Sequence, residues 1–317
     1  FTSPSYEGLR GHIYSGNKRI SKEKFLYLLN KMYPFIVELD DMDNHPTDFE
    51  IITVLSFLYF KDHVDIALIE TGMGGREDTT NCIHPMLSII TNVDYDHTAF
   101  LGNSLPDIAS HKAGIIKENV PVIVGETKKE ALEQIENEAA SKSAPIYQLD
   151  KDFSITNTTH HEQTQQFTWG NDSHACDVTI QMMGAHQLRN ASLAVMALKL
   201  INDLGIKIQW NKSLEGISHT TVPGRFEKIK DHPLIIIDGA HNPGSIDMFI
   251  NTVLANYANA ERHLIFAAFN DKDIKPMLEI LLPHFKTITL TTFESSRAAR
   301  AEDLATLVNS DKIRDRK

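Results

Sequence analysis

A repeated alternation of apolar strand-like runs with helical stretches limits what this chain can fold into more than any other feature. Residues 64–70 are apolar on both alternations, the pattern of a strand covered on both faces of a parallel sheet, and 87–93 reads the same way. Leu105, Ile108, Ala109, Ala113 and Ile116 then follow helical spacing, residues 120–125 return as a strand, and a Glu- and Ala-rich helix is expected over 129–141. This order predicts an α/β class with a mostly parallel, doubly wound sheet. Short segments rich in Thr, His and Gln predict a small antiparallel insertion between 152 and 181. Leu188, Ala191, Ala194, Val195, Leu198 and Ile201 predict a helix over 186–204, closed by Gly205. After Val222-Pro223-Gly224 the rhythm restarts, with strands at 234–237, 263–267 and 287–292 and helices at 246–257 and 275–282. At 317 residues two domains are expected. The turn at Pro223 places them at 1–222 and 223–317, the second a Rossmann-like α/β domain.

Charge and cysteine content narrow the partners. Thirty-one basic against 42 acidic residues give a net charge of -11, which argues against a nucleic-acid backbone as the main partner. Two cysteines, Cys82 and Cys176, are too few for a disulfide framework or a thiolate zinc site. No apolar run reaches the roughly 18 residues of a membrane span, and no charged-then-apolar leader opens the sequence. A soluble, cytoplasmic, monomeric protein without a membrane partner is expected.

Candidate chemistry sits where loops leave the strands, the usual ligand position in open α/β sheets. Glu70-Thr71-Gly72-Met73-Gly74-Gly75-Arg76 ends a predicted strand with a carboxylate and a glycine-rich turn, suited to close approach of a ligand, unless Glu70 only caps a neighbouring helix. Asp94-Tyr95-Asp96-His97 follows the next strand, ahead of a helix carrying His111, Lys112 and Lys117. A carboxylate beside an imidazole suits a divalent cation, and oxygen-rich surroundings favour Mg²⁺; a packed or solvent-facing His97 is the alternative. In the second domain Asp238-Gly239-Ala240-His241-Asn242-Pro243 sets an acid, an imidazole and a carboxamide directly after a strand. Asp238 suits a ribose hydroxyl and His241 a phosphate or carboxylate, whereas Asn242 is equally a helix cap. Arg225 can fork onto phosphate or make an interdomain salt bridge.

Together with Thr2-Ser3-Pro4, Thr47-Asp48-Phe49-Glu50, Asp78 with Thr80-Asn81, His111-Lys112-Ala113-Gly114, Gly184-Ala185-His186-Gln187 with Asn190, Pro223-Gly224-Arg225, Asp271-Lys272-Asp273 and Arg297-Ala298, these motifs resemble folylpolyglutamate synthase and dihydrofolate synthase of the Mur ligase superfamily. The resemblance runs through nearly the whole chain. It implies a ligase that uses ATP to phosphorylate a folate or dihydropteroate carboxylate and then lets the amino group of L-glutamate displace phosphate. It further implies Ser3 and Glu70 at a first Mg²⁺ and His97 at a second, with Lys112 carbamylated and helping to hold that second ion. Gln187 and Asn190 would lie near adenine, Arg225 near the phosphates, Asp238 near the ribose, and His241 close to the reacting groups, making Lys112 and His241 the catalytic candidates.

Two departures accompany the resemblance. The superfamily's Gly-Lys-Ser/Thr phosphate loop should lie shortly before Thr2-Ser3-Pro4, and residues 1–317 contain none, so this stretch is expected to bind ATP poorly and to be truncated at both ends. Ser5 and Gly11-His12-Ile13 stand where the family has a bulky residue or His and then Glu-Arg-Ile. A Mur-type ligase with another carboxylate acceptor, or a degenerate non-catalytic homologue, are the alternatives. Thr47-Asp48-Phe49-Glu50 favours the folate branch.

Overall fold

The computed structural model describes residues 1–5, 7–161, 163–308 and 313–315. The chain forms two compact units, one of 1–88, 97–122 and 128–145, the other of 89–96, 123–127 and 146–317.

In the first unit a short hairpin of β1 (Tyr14–Ser15) and β2 (Lys18–Arg19) leads into α1 (Lys22–Asp41) and α2 (Asp48–Phe60). Neither helix stood out in the sequence, although both carry start signals. Ser21 accepts from Lys24 N at the head of α1, and Thr47 and Glu50 form a reciprocal capping box at the head of α2. Thr47-Asp48-Phe49-Glu50 thus begins a helix. Phe25, Leu28, Met32, Ile52, Leu55 and Phe60 pack with Phe1, Ile13 and Ile20 into this unit's core. The four-residue α3 (Thr98–Leu101), α4 (Leu105–Ala113) and α5 (Lys129–Ser141) complete the helices of the unit, with α4 against α5.

Residues 64–70 do not form the expected covered strand. The segment is extended and bonds to Phe1, through Phe1 N to Leu68 O (2.8 Å) and Glu70 N to Phe1 O (3.0 Å). Leu68 is 81% exposed. Apolarity alone does not make a sheet strand; a ladder partner must be supplied along each edge.

Among the described residues the second unit holds four sheets. Apart from Ser88 and Val122, β3 (Ser88–Ile90), β4 (Val122–Val124) and β5 (Ile146–Gln148) belong to it, ordered β3-β4-β5. Gly125 N donates to Ile90 O and Leu149 N to Val124 O, while Ser88 N reaches Pro121 O, so partners advance together as parallel strands do. The insertion is an antiparallel meander of β6 (Phe153–His160), β7 (Gln165–Asn171) and β8 (His174–Ile180) around buried Phe153, Phe167 and Trp169. It is followed by α6 (Ala185–Asp203) and α7 (Trp210–Ser218).

β9 (Glu227–Asp231) and β10 (Leu234–Ile237) form an antiparallel hairpin, so the expected strand at 234–237 pairs with its chain neighbour. Beyond α8 (Pro243–Tyr257), β11 (His263–Phe266), α9 (Ile274–Leu281), β12 (Thr287–Leu290), α10 (Ala301–Thr306) and β13 (Ile313–Asp315) alternate, and the three strands pair in parallel. Met277, Leu278, Ile288 and Leu290 are fully buried in the core between them. Among the described residues no helix is long and apolar enough to cross a membrane.

Candidate active site

The first group of site residues is built on residues 70–76 of the first unit. Asp78 accepts from Met73 N (2.7 Å) and from Thr80 N (2.9 Å), which fixes the glycine turn from its own carboxyl side. A side chain cannot be fitted at Gly75. A Cβ there would lie 2.8 Å from His111 O and 3.1 Å from Lys112 O. Arg76 N donates to His111 O (2.8 Å), and its guanidinium reaches Ser110 O (3.1 Å) and the Glu138 carboxylate (2.9 Å). Gly75 therefore serves close packing of backbone on backbone, seating the turn on the last turn of α4, whereas Gly72 and Gly74 make room for the side chains of Phe49 and Leu101.

Glu70 and Ser3 are brought together. Glu70 Oε2 accepts from Ser3 N (3.0 Å) and from the Thr2 hydroxyl. His12 stacks on Phe1 and donates from Nδ1 to Thr2 O (2.7 Å), so the residue that departs from the family pattern braces the strip beside Glu70. One exposed carboxylate with a serine beside it fits Mg²⁺, which takes one or two carboxylates and fills its octahedron with water and phosphate oxygens. Among the described residues no group of three or more His, Cys, Asp or Glu could by itself hold a metal. Lys112 lies in the last turn of α4, and His97 precedes α3 in the left-handed region, with φ 51°.

The second group lies in the second unit. Gln187 is buried and accepts from Asn190 Nδ2 (3.1 Å), so the two adenine candidates are one bonded pair on α6. Asp238 accepts from Phe226 N (2.7 Å) and Ala240 N (2.8 Å), tying the turn at Pro223-Gly224-Arg225 to the one before α8. Gly239 N reinforces this with a bond to Gly224 O (2.7 Å). Arg225 is exposed and, among the described residues, its guanidinium makes no hydrogen bond or ion pair within the protein. It lines a cavity of about 510 Å³ with Gln181, Met183, Phe226 and Tyr257. His186, which carried no assigned role in the sequence, lies within electrostatic reach of Asp238 and Arg225. Burial pushes its pKa down, with Asp238 opposing and Arg225 reinforcing.

His241 is held at both nitrogens. Nδ1 lies 2.8 Å from Gly239 O and Nε2 3.3 Å from Asp96 Oδ2. A carbonyl and a carboxylate can only accept, so this geometry favours the doubly protonated ring. The hydrogen bond to Asp96 raises its pKa, outweighing burial and the nearby Lys272. Asn242 takes the capping reading, in a reciprocal box with Ser245 at the head of α8. Asp96, Glu126 and Lys272 are neighbours to which the sequence assigned no separate role. Asp96 binds Lys272 and Asn242 as well as His241, and the buried Glu126 accepts from Val93 N to hold the segment before it. Asp96 and Lys272 both lie inside quoted motifs, which was the available signal.

Known proteins match this arrangement. The family model described as the Mur ligase middle domain matches residues 21–198, and that described as the Mur ligase glutamate ligase domain matches 224–316. The dihydrofolate synthase/folylpolyglutamate synthase of Bacillus subtilis is 35% identical over 309 residues, covering 96% of this chain and 72% of that protein. The chain belongs to the folylpolyglutamate synthase/dihydrofolate synthase family of Mur ligases. Mycobacterium tuberculosis folylpolyglutamate synthase, solved with ADP and AMPPCP, superposes with a TM-score of 0.90 at 26% identity, covering all of this chain and 74% of that one. A folylpolyglutamate synthase complex with AMPPCP and folate gives 0.86 at 31% identity, covering 92% of this chain and 72% of its own. The Mur ligase fold accounts for both the parallel strands and the antiparallel meander.

Two outcomes follow from this geometry. Gly75→Ala should cost about 1–3 kcal/mol of stability, read from denaturant unfolding, because its Cβ must displace the end of α4. The two histidines should titrate on opposite sides of the ordinary value near 6.5. His241, raised, adds stability that is complete below that value and is lost as pH rises through its folded pKa. His186, lowered, costs stability increasingly as pH falls below that value. Histidine NMR titration of the folded chain checks both signs; coincident midpoints would contradict them.

Proposed function

We propose that the chain carries the ATP-dependent addition of L-glutamate to a folate or dihydropteroate carboxylate. The observation that carries this reading is the turn after Glu70, seated through Gly75 on the α4 turn that bears Lys112, in a chain of this family. The solved relative bearing both AMPPCP and folate supports the substrate class. An acceptor carboxylate attacks the γ-phosphorus of ATP and expels ADP, giving an acyl phosphate. The amino group of glutamate then attacks that carbonyl, phosphate leaves, and the nitrogen loses a proton as the amide forms. Mg²⁺, when bound, neutralises charge on the transferring phosphoryl oxygens.

In this reading Ser3 and Glu70 hold a first Mg²⁺ and His97 a second. Lys112, its neutral amine combined with carbon dioxide and one proton released, gives a carbamate beside the second ion; this reverses the repulsion an ammonium would bring. Gln187 and Asn190 face adenine, Asp238 the ribose, and Arg225 the phosphates, for which its unpaired guanidinium suits it. His241, donating from both nitrogens, serves as a cation near the reacting groups and not as the base for the amine proton. The domains divide at 222/223, close to where the glutamate ligase match begins. The protein works as a cytoplasmic monomer.

The test is phosphate release by the full-length gene product with ATP, glutamate and either dihydropteroate or tetrahydrofolate; release with neither acceptor would end the folate reading. Lys112→Ala is expected to lower turnover at least about a hundredfold. Acetate or formate should rescue part of it. Wild-type turnover in that variant would remove Lys112 from the chemistry.

A further inference from the structure

Three donors converge on the carboxylate of Asp96. Oδ1 accepts from Lys272 Nζ (3.0 Å), and Oδ2 accepts from Asn242 Nδ2 (3.2 Å) and His241 Nε2 (3.3 Å). The donors come from two turns, one leading into α8 and the other into α9. Lys272 is only 12% exposed and Asp96 27%, so this differs from the solvent-exposed ion pairs that contribute little. Capping of α8 does not require Asp96, because Asn242 and Ser245 already satisfy its first turn. The acidic segment is seated on the same turn at a second point, where the Asp94 carboxylate fills the space a Cβ would take at Gly244, 2.1 Å from that position.

We infer that Asp96 is a positioning residue for the proposed ligase reaction, fixing the orientation of the His241 ring and holding Lys272 beside it. With Nδ1 bound to Gly239 O and Nε2 to Asp96, the ring has no free rotation about its bond to Cβ. Without the carboxylate, only the Gly239 bond orients it, and the Lys272 ammonium faces the ring without an intervening anion. Reacting groups misplaced by about an ångström lose on the order of a hundredfold in rate. The kinetic arm of the inference rests on the ligase reading; the spectroscopic arm does not.

The experiment uses the chain with ¹⁵N-labelled histidine, comparing wild type with Asp96→Asn and Asp96→Glu by long-range ¹H–¹⁵N NMR, and the same proteins in the glutamate ligase assay. In the wild type both His241 nitrogens are expected to be protonated. Asp96→Asn should lose the Nε2 proton signal while keeping Nδ1 bonded, and lower kcat roughly tenfold to a hundredfold with KM for ATP unchanged. Asp96→Glu should restore part of both. A purely structural Asp96 would lower the melting temperature and leave the His241 signals and the kcat of the folded protein at wild-type values, overturning the inference. Should Asp96→Asn not fold, Lys272→Met takes its place: a shifted His241 Nε2 resonance supports the shared anchor, and an unmoved one overturns it. Absence of turnover in the wild type would count against the ligase reading alone, with the NMR arm still deciding the role of Asp96.

Discussion

The contact on which the first group of site residues depends is the approach of the Gly75 backbone to the carbonyls that end α4. A helix leaves its last carbonyl groups without intrahelical partners, and they must be met by something else. Here Arg76 N meets His111 O, and the missing side chain of Gly75 is what lets the turn come close enough. The Arg76 guanidinium extends the seam to Ser110 O and Glu138, which ties α4, α5 and the turn together. Glu70 at one end and Lys112 at the other are therefore carried by a single braced element, and neither depends on a mobile loop for its place.

The second unit uses another device. Its site turns are held by carboxylates that accept several bonds each: Asp238 from the backbone of Phe226 and Ala240, Glu126 from the backbone of Val93 and Thr127, Asp96 from the side chains of Lys272, Asn242 and His241. Charge-assisted bonds of this kind are stronger and more directional than neutral ones. They also set the charge of the neighbouring imidazoles. His241, with acceptors at both nitrogens, favours the cationic form, and His186, buried near Arg225, the neutral form.

Much of this was legible in the residues, for identifiable reasons. The helix over 129–141, the strands around 88 and 122, and the meander between 153 and 180 follow from periodicity, because each buries one recognisable face. The segment 64–70 misled because hydropathy reports the wish for burial and says nothing of the partner strand. α1 and α2 were missed although Ser21 and the box at Thr47 and Glu50 mark their starts. Gly75 was legible as part of a turn but not as a packing seam, since the carbonyls it meets lie some 36 residues away in sequence. A longer separation in sequence, 145 residues, hid the bond between Asp96 and His241.

That bond changes what the motif around Asp238 can do. Read alone, an aspartate, a histidine and an asparagine within five residues suggest a local acid–base set. In the folded chain Asp238 spends both oxygens on backbone N–H groups, Asn242 caps α8, and His241 takes its carboxylate from the far side of the sequence. A histidine that donates at both nitrogens lacks the lone pair a general base needs, so proton removal from an incoming amine must fall to another group or to solvent. The ring is suited instead to meeting an anion beside Lys272 while Asp96 fixes its orientation.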